Sequence, residues 1–188
     1  MIRQGVTLIA TAVLGAGLLA GCGSSDESAE APAEESKTEV GTGSVGGEPV
    51  VDDDVGFQVT AVNKLPKEQL PAIDDSDSYE LPDDSAVWTA DVKVTNNGAE
   101  SATPVCNANT VVAIDQKDRE YEMATAIDVL AGEQTGKSIF CVKVEPGSSK
   151  TGTVYFTTPN DSEIESFRLY NNTADGDTRG NTYVVIKR

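Results

Sequence analysis

From Val50 onward the chain alternates apolar and polar residues in short runs, split by turn-forming residues. That period of two marks strands with one buried face. "AVWTADVKVTNNG" (Ala86 to Gly98) shows it best: Trp88, Ala90, Val92 and Val94 fall on one face, and Thr89, Asp91, Lys93 and Thr95 on the other. Asn97-Gly98 then supplies a turn. "GFQVTAV" (Gly56 to Val62) places Phe57, Val59 and Ala61 together. "PVCNANTVVAID" reads as a strand or strand pair, and "DQKDREYEM" as a charged turn leading into a short strand near Tyr121. "SIFCVKV" and "TGTVYFTTP", joined through Pro146-Gly147, read as a hairpin; "ESFRLY" and "TYVVIK" add two strands. Only "EMATAIDVLAG" has room for a helical turn or two. About seven to nine short strands at this spacing, with almost no helix, predict an all-β fold: an antiparallel immunoglobulin-like β-sandwich with Trp88 as core anchor.

The N-terminal part has no such pattern. Arg3 is the only charge before Cys22, and an apolar stretch from Val6 to Gly21 follows it. A positive start and a short apolar run are the signature of a secretory signal peptide. A spanning helix needs about 20 predominantly apolar residues, more than this Gly- and Ala-rich run offers. Leu19-Ala20-Gly21-Cys22 resembles the lipobox of bacterial lipoproteins. The resemblance implies a diacylglycerol on the Cys22 thiol and cleavage just before it. The alternative is an ordinary signal peptide with an incidental cysteine. Each buried CH₂ contributes about 0.8 kcal/mol and one chain anchors only marginally, so a diacyl group gives stable attachment.

With Cys22 so used, Cys106 and Cys141 remain, and an exported compartment permits them to pair. Closing that loop stabilises by about 3–4 kcal/mol in the chain-entropy model. Two separate buried thiols are the alternative. From Gly23 to Pro49 the composition is Gly, Ser, Ala and Glu, with seven acids (Asp26, Glu27, Glu30, Glu34, Glu35, Glu39, Glu48) against Lys37. Such a stretch buries too little apolar area to offset its ordering entropy, and its charges repel. The expected organisation is therefore a signal peptide over 1–21, a lipidated cysteine and disordered acidic linker over 22–49, and the sandwich over 50–188.

"AVWTADVKVTNNG", "VVAIDQKDREYE" and "VEPGSSKTGTVYFTTP", in that order, resemble a family of secreted and lipoprotein domains of unknown function in Gram-positive bacteria, related to immunogenic extracellular antigens. The matching positions are Asn96 and Asn97, Asp115 to Tyr121, Pro146-Gly147, and Phe156 with Pro159. The resemblance implies an immunoglobulin-like sandwich over about Gly56 to Lys187 and no catalytic residue.

Charge and residue inventory narrow the function. The chain carries 14 Lys+Arg against 31 Asp+Glu, a formal net charge of −17. That argues against nucleic acid and against docking on anionic lipid through the folded surface, so the lipid is expected to be the sole membrane link. There is no histidine, which excludes Ser-His-Asp and Cys-His catalysis, and no Gly-rich phosphate loop is present. The expectation is a protein that is not an enzyme and carries no cofactor. Calcium is the alternative: Asp74, Asp75, Asp77, Glu80, Asp83 and Asp84 cluster without a compensating cation, Asp52 to Asp54 precede the first strand, and "DGDTRGN" (Asp175 to Asn181) half-matches a calcium loop before Arg179 and Ile186 break the pattern. A solvated, self-repelling loop explains the same acids.

The connection from Asn63 to Ser85 is long for a hairpin, and loops of that size are usually functional or disordered. Its leucines and prolines suit packing across a sandwich edge. It is read here as partner-facing, so that deleting Lys67 to Asp83 spares folding and abolishes capture. The functional expectation is an extracytoplasmic, lipid-anchored binding or interaction module at the cell membrane, with an envelope protein or glycan as partner. The rivals are a calcium-dependent adhesion or structural domain and a hydrolase built on a carboxylate pair.

Overall fold

The computed structural model describes residues 37–66, 70, 81–127, 135–171 and 182–188. All of them belong to one unit, Glu35–Arg188. Nine strands follow in order: β1 (Thr38–Ser44), β2 (Val50–Asp52), β3 (Val55–Leu65), β4 (Ser85–Asn96), β5 (Val111–Asp115), β6 (Glu120–Glu122), β7 (Ser149–Pro159), β8 (Ile164–Tyr170) and β9 (Thr182–Lys187). They form a five-stranded sheet, β1-β9-β8-β5-β6, facing a four-stranded sheet, β2-β3-β4-β7. The expected β-sandwich is the fold. Residues 125–127 are helical, and no helix among the described residues is long and apolar enough to cross a membrane.

The alternation in β4 sets the core. Trp88, Ala90, Val92 and Val94 are all buried, and they meet Phe57, Phe156, Phe167, Leu169, Val184 and Ile186 between the sheets. Phe156 and Phe167, one from each sheet, approach to 5.7 Å between ring centroids. In β3 the alternation breaks. Phe57 and Val59 pair with the inward Val94 and Val92, but a bulge at Thr60 shifts the register. Ala61 then lies opposite the outward Asp91, and Val62 opposite the inward Ala90. The expected Phe57–Val59–Ala61 face is therefore corrected to Phe57–Val59–Val62. One extra residue in a ladder has this effect because side-chain period is two.

Two further expectations are corrected. Residues 38–44, read from composition as linker, form β1, which runs parallel to β9. The sandwich is thus antiparallel except for this pair. Apolar side chains do not hold β1 in place; close approach does. A Cβ on Gly41 would lie 2.6 Å from Val50 Cγ1, and one on Gly43 would lie 2.7 Å from Val50 Cγ2. The two glycines let the backbone lie directly on Val50, so the strand joins the sheet through hydrogen bonds that composition cannot reveal.

"SIFCVKV" is not a strand of a hairpin with β7. It crosses the molecule as a loop: Thr153 N donates to Lys137 O, Cys141 N to Val105 O, and Val144 bridges to Ala102. Cys141 takes φ +52°, outside the strand region. The crossing segment presses on β7 where Gly152 leaves room; a Cβ there would be 2.5 Å from Lys137 O. A smaller apolar cluster covers the outer face of the four-stranded sheet, with Val87, Ile127 and Tyr155 packed against Leu65, Leu70, Leu81 and Ala124.

Candidate functional site

Two turns build one end of the sandwich, β5–β6 and β7–β8. Asp115 ends β5 and is buried to 1% exposure. Its Oδ1 accepts from Lys117 N at 2.9 Å and Arg119 N at 3.0 Å. Its Oδ2 accepts from Arg119 Nε at 2.8 Å and from the Tyr121 hydroxyl at 3.0 Å, and Arg119 Nη2 lies 2.7 Å away. Burial works to raise the Asp115 pKa. The Arg119 side chain, the backbone N–H groups of Arg119 and Lys117, and the Tyr121 hydroxyl outweigh it and hold the carboxyl well below the usual range.

The second turn is tied to the first. Arg119 Nη2 and the Tyr121 hydroxyl both reach Ser162 Oγ. Gln116 pairs with the 161–163 backbone through its Nε2 to Asp161 O and its Oε1 from Glu163 N. Lys117 pairs with Asp161, whose pKa that ion pair lowers. The Asp115-to-Tyr121 segment is therefore a structural knot, and its buried carboxylate is fully engaged by its own turn.

Beside the knot lies a second cluster. Lys64 Nζ sits 5.3 Å from the centroid of the Trp88 ring, and Arg188 Cζ lies 5.0 Å from it. Lys64 Nζ donates to Asn160 O at 3.0 Å and Ser162 O at 3.5 Å. Arg188 Nη1 donates to Ile164 O at 3.4 Å. Glu163 spans the two cations, with Oε1 3.3 Å from Lys64 Nζ and Oε2 3.6 Å from Arg188 Nη1. An open groove of about 560 Å³ on one side is lined by Glu163, Ile164, Glu165, Ser166, Lys187 and Arg188. Another, of about 520 Å³, is lined by Lys64, Leu65, Pro66, Asp83, Ser85, Ala86 and Asn160. This end is opposite the start of β1, because Ser44 pairs with Lys187 here while Thr38 pairs with Thr182 at the far end.

Cys106 and Cys141 are joined by a disulfide, as expected, with Cα atoms 4.2 Å apart. Cys22 and its neighbours Leu19, Ala20 and Gly21 lie outside the described residues, as do Asp74, Asp75, Asp77, Glu80 and the 175–181 stretch. Asp83 lines a groove, and Asp84 O accepts from Asn160 N. Asp52 is buried and accepts from the Thr182 hydroxyl, while Asp54 O caps Asn97 N. Among the described residues no three His, Cys, Asp or Glu side chains gather to hold a metal ion. Sequence reasoning marked Trp88 and the Asp115 turn. It missed Lys64, Glu163 and Arg188, which the fold gathers from three distant segments.

A family described as "Domain of unknown function (DUF4352)" matches residues 45–186. Among solved structures, the YjhA protein of Bacillus subtilis is similar at 16% identity over 77% of this chain and 98% of its own, with a TM-score of 0.55. A Bacillus subtilis protein described as "a putative lipoprotein (ycdA)" is similar at 13% identity over 75% of this chain and 38% of its own, with a TM-score of 0.51. The secreted protein MPT63 of Mycobacterium tuberculosis is similar at 16% identity over 78% of this chain and 96% of its own, with a TM-score of 0.47. No curated protein matches the sequence. At these identities the two Bacillus subtilis structures bear on the fold alone.

Proposed function

The chain belongs to the DUF4352 family, and from that premise we propose that it is a lipid-anchored, extracytoplasmic binding module of the cell envelope, without catalytic activity. The observation that carries this reading is the built end of the sandwich. Its buried carboxylate is saturated by its own turn, its cations are held by backbone carbonyls and an indole, and open grooves flank them. A concave surface beside held cations suits recognition. The lipobox-like Leu19-Ala20-Gly21-Cys22 supports the anchor, and one solved neighbour carries a lipoprotein description.

Within the described residues, β1 begins at the end of the sandwich opposite the grooves, where Thr38 pairs with Thr182.

Two measurements test the reading. Cys22→Ala is expected to remove detergent-phase partitioning; unchanged partitioning overturns the anchor. A photo-crosslinking residue at position 165 is expected to capture a partner on intact cells, and one at position 53 is not. Equal labelling from both ends overturns the assignment of the recognition surface.

A further inference from the structure

We infer that the Lys64–Trp88–Arg188 cluster is a binding site for a ligand carboxylate, which enters by displacing Glu163. The inference rests on the binding-module reading and names the chemistry of its ligand. The cations are positioned by groups other than Glu163. Lys64 is held by two carbonyls of the β7–β8 turn and by the indole face. Arg188 is held by Ile164 O, by its own backbone N–H to Glu165 O, and by the same indole. A site whose donors are already in place loses little entropy when a ligand arrives.

Glu163 is the exchangeable member. Its side chain is 58% exposed and its oxygens stand 3.3 and 3.6 Å from the two cations, longer than the spacing of strong charge-assisted bonds. Exposed pairs of this kind contribute little, so little holds Glu163 against a competitor. It also shows which ligand group fits: one carboxylate with one oxygen on each cation. In a chain of net charge −17, two cations sharing one acidic partner over an aromatic face form a local exception, and the grooves on both sides leave room for the rest of a ligand. The ligand class is a molecule ending in a free carboxylate, such as a peptide C-terminus.

Trp88 is the chain's single tryptophan and lies against both cations, so its emission and its indole N–H resonance respond to changes at this site. The test titrates the full chain with acetyl-Gly-Gly as the free acid and as the amide. The acid is expected to shift the Trp88 signals saturably and the amide is not. Glu163→Gln, which removes the internal competitor, is expected to bind the acid at least threefold more tightly than the wild type. Lys64→Gln and Arg188→Gln are each expected to weaken binding at least fivefold with the β-sheet circular dichroism unchanged. Equal responses to acid and amide overturn the inference, as does Glu163→Gln binding no better than wild type. Crosslinking from position 165 that succeeds while the acid and amide behave alike would sink the carboxylate assignment and leave the binding-module reading standing.

Discussion

Asp115 is the residue on which one end of the molecule depends. Its two oxygens receive two backbone N–H groups, the Arg119 side chain and the Tyr121 hydroxyl. Removing it strands those donors, and breaking a buried ion pair costs about 3–5 kcal/mol. Arg119 keeps 39% of its side chain in water, which places Asp115→Ala near the lower bound, at about 3 kcal/mol by urea denaturation. Acid should act on the same group. Its folded pKa is depressed from a reference value of 3.8. The unfolded chain therefore takes up the proton first as pH falls, and the stability contributed by the carboxylate is full above the reference value and lost below it. Urea midpoints measured from pH 6 down to pH 2 are expected to fall in the wild type, and to fall less steeply below pH 4 in Asp115→Asn.

Among the elements, β1 and the crossing segment that carries Cys141 show how absent side chains place a backbone. Gly43→Ala would bring a Cβ within 2.7 Å of Val50 Cγ2 and 3.0 Å of Ile186 Cδ1, both the ends of side chains. It is expected to loosen β1, read as faster proteolysis within residues 38–44 with little change in the main melting transition. At Gly152 the obstacles are Lys137 O at 2.5 Å, Ile139 Cβ at 2.7 Å and Ile139 N at 2.8 Å. Backbone yields less than a side-chain tip, and overpacking costs about 1–3 kcal/mol. Gly152→Ala is therefore expected to lower the melting temperature measurably, by more than Gly43→Ala does. The connection between β3 and β4 also changes meaning at this scale. Leu70 and Leu81 pack on Val87 and Tyr155, so deleting Lys67 to Asp83 uncovers apolar surface. That deletion is expected to depress melting as well as binding, contrary to the reading of the loop as independent of the fold.

Across the whole molecule, the disulfide joins the loop before β5, in one sheet, to the segment that crosses over β7, in the other. Reducing it under native conditions is expected to lower stability by up to about 3–4 kcal/mol, measured as the shift in thermal midpoint with and without reductant. An unchanged midpoint would mean the cross-link contributes nothing to the folded state. Legibility from sequence follows the range of the interactions. The strands β4, β7, β8 and β9 were readable because alternation with β-branched and aromatic residues is local, and Trp88 was readable as core because it lies on the apolar face of such a run. The Cys106–Cys141 pair was readable by counting. β1 was not, since its order comes from glycines lying on Val50, and neither was the bulge at Thr60, since register depends on the partner strand. The Lys64–Glu163–Arg188 cluster was least visible of all: its members are isolated charges in three separate segments, and only closure of the two sheets brings the two cations onto one indole with Glu163 across them. Sequence by itself determined the all-β class and the core face of the main strands, because periodicity and composition act over a few residues. Tertiary structure alone decided the parallel edge strand and the gathering of cations at one end, because those depend on distances between residues far apart in the chain.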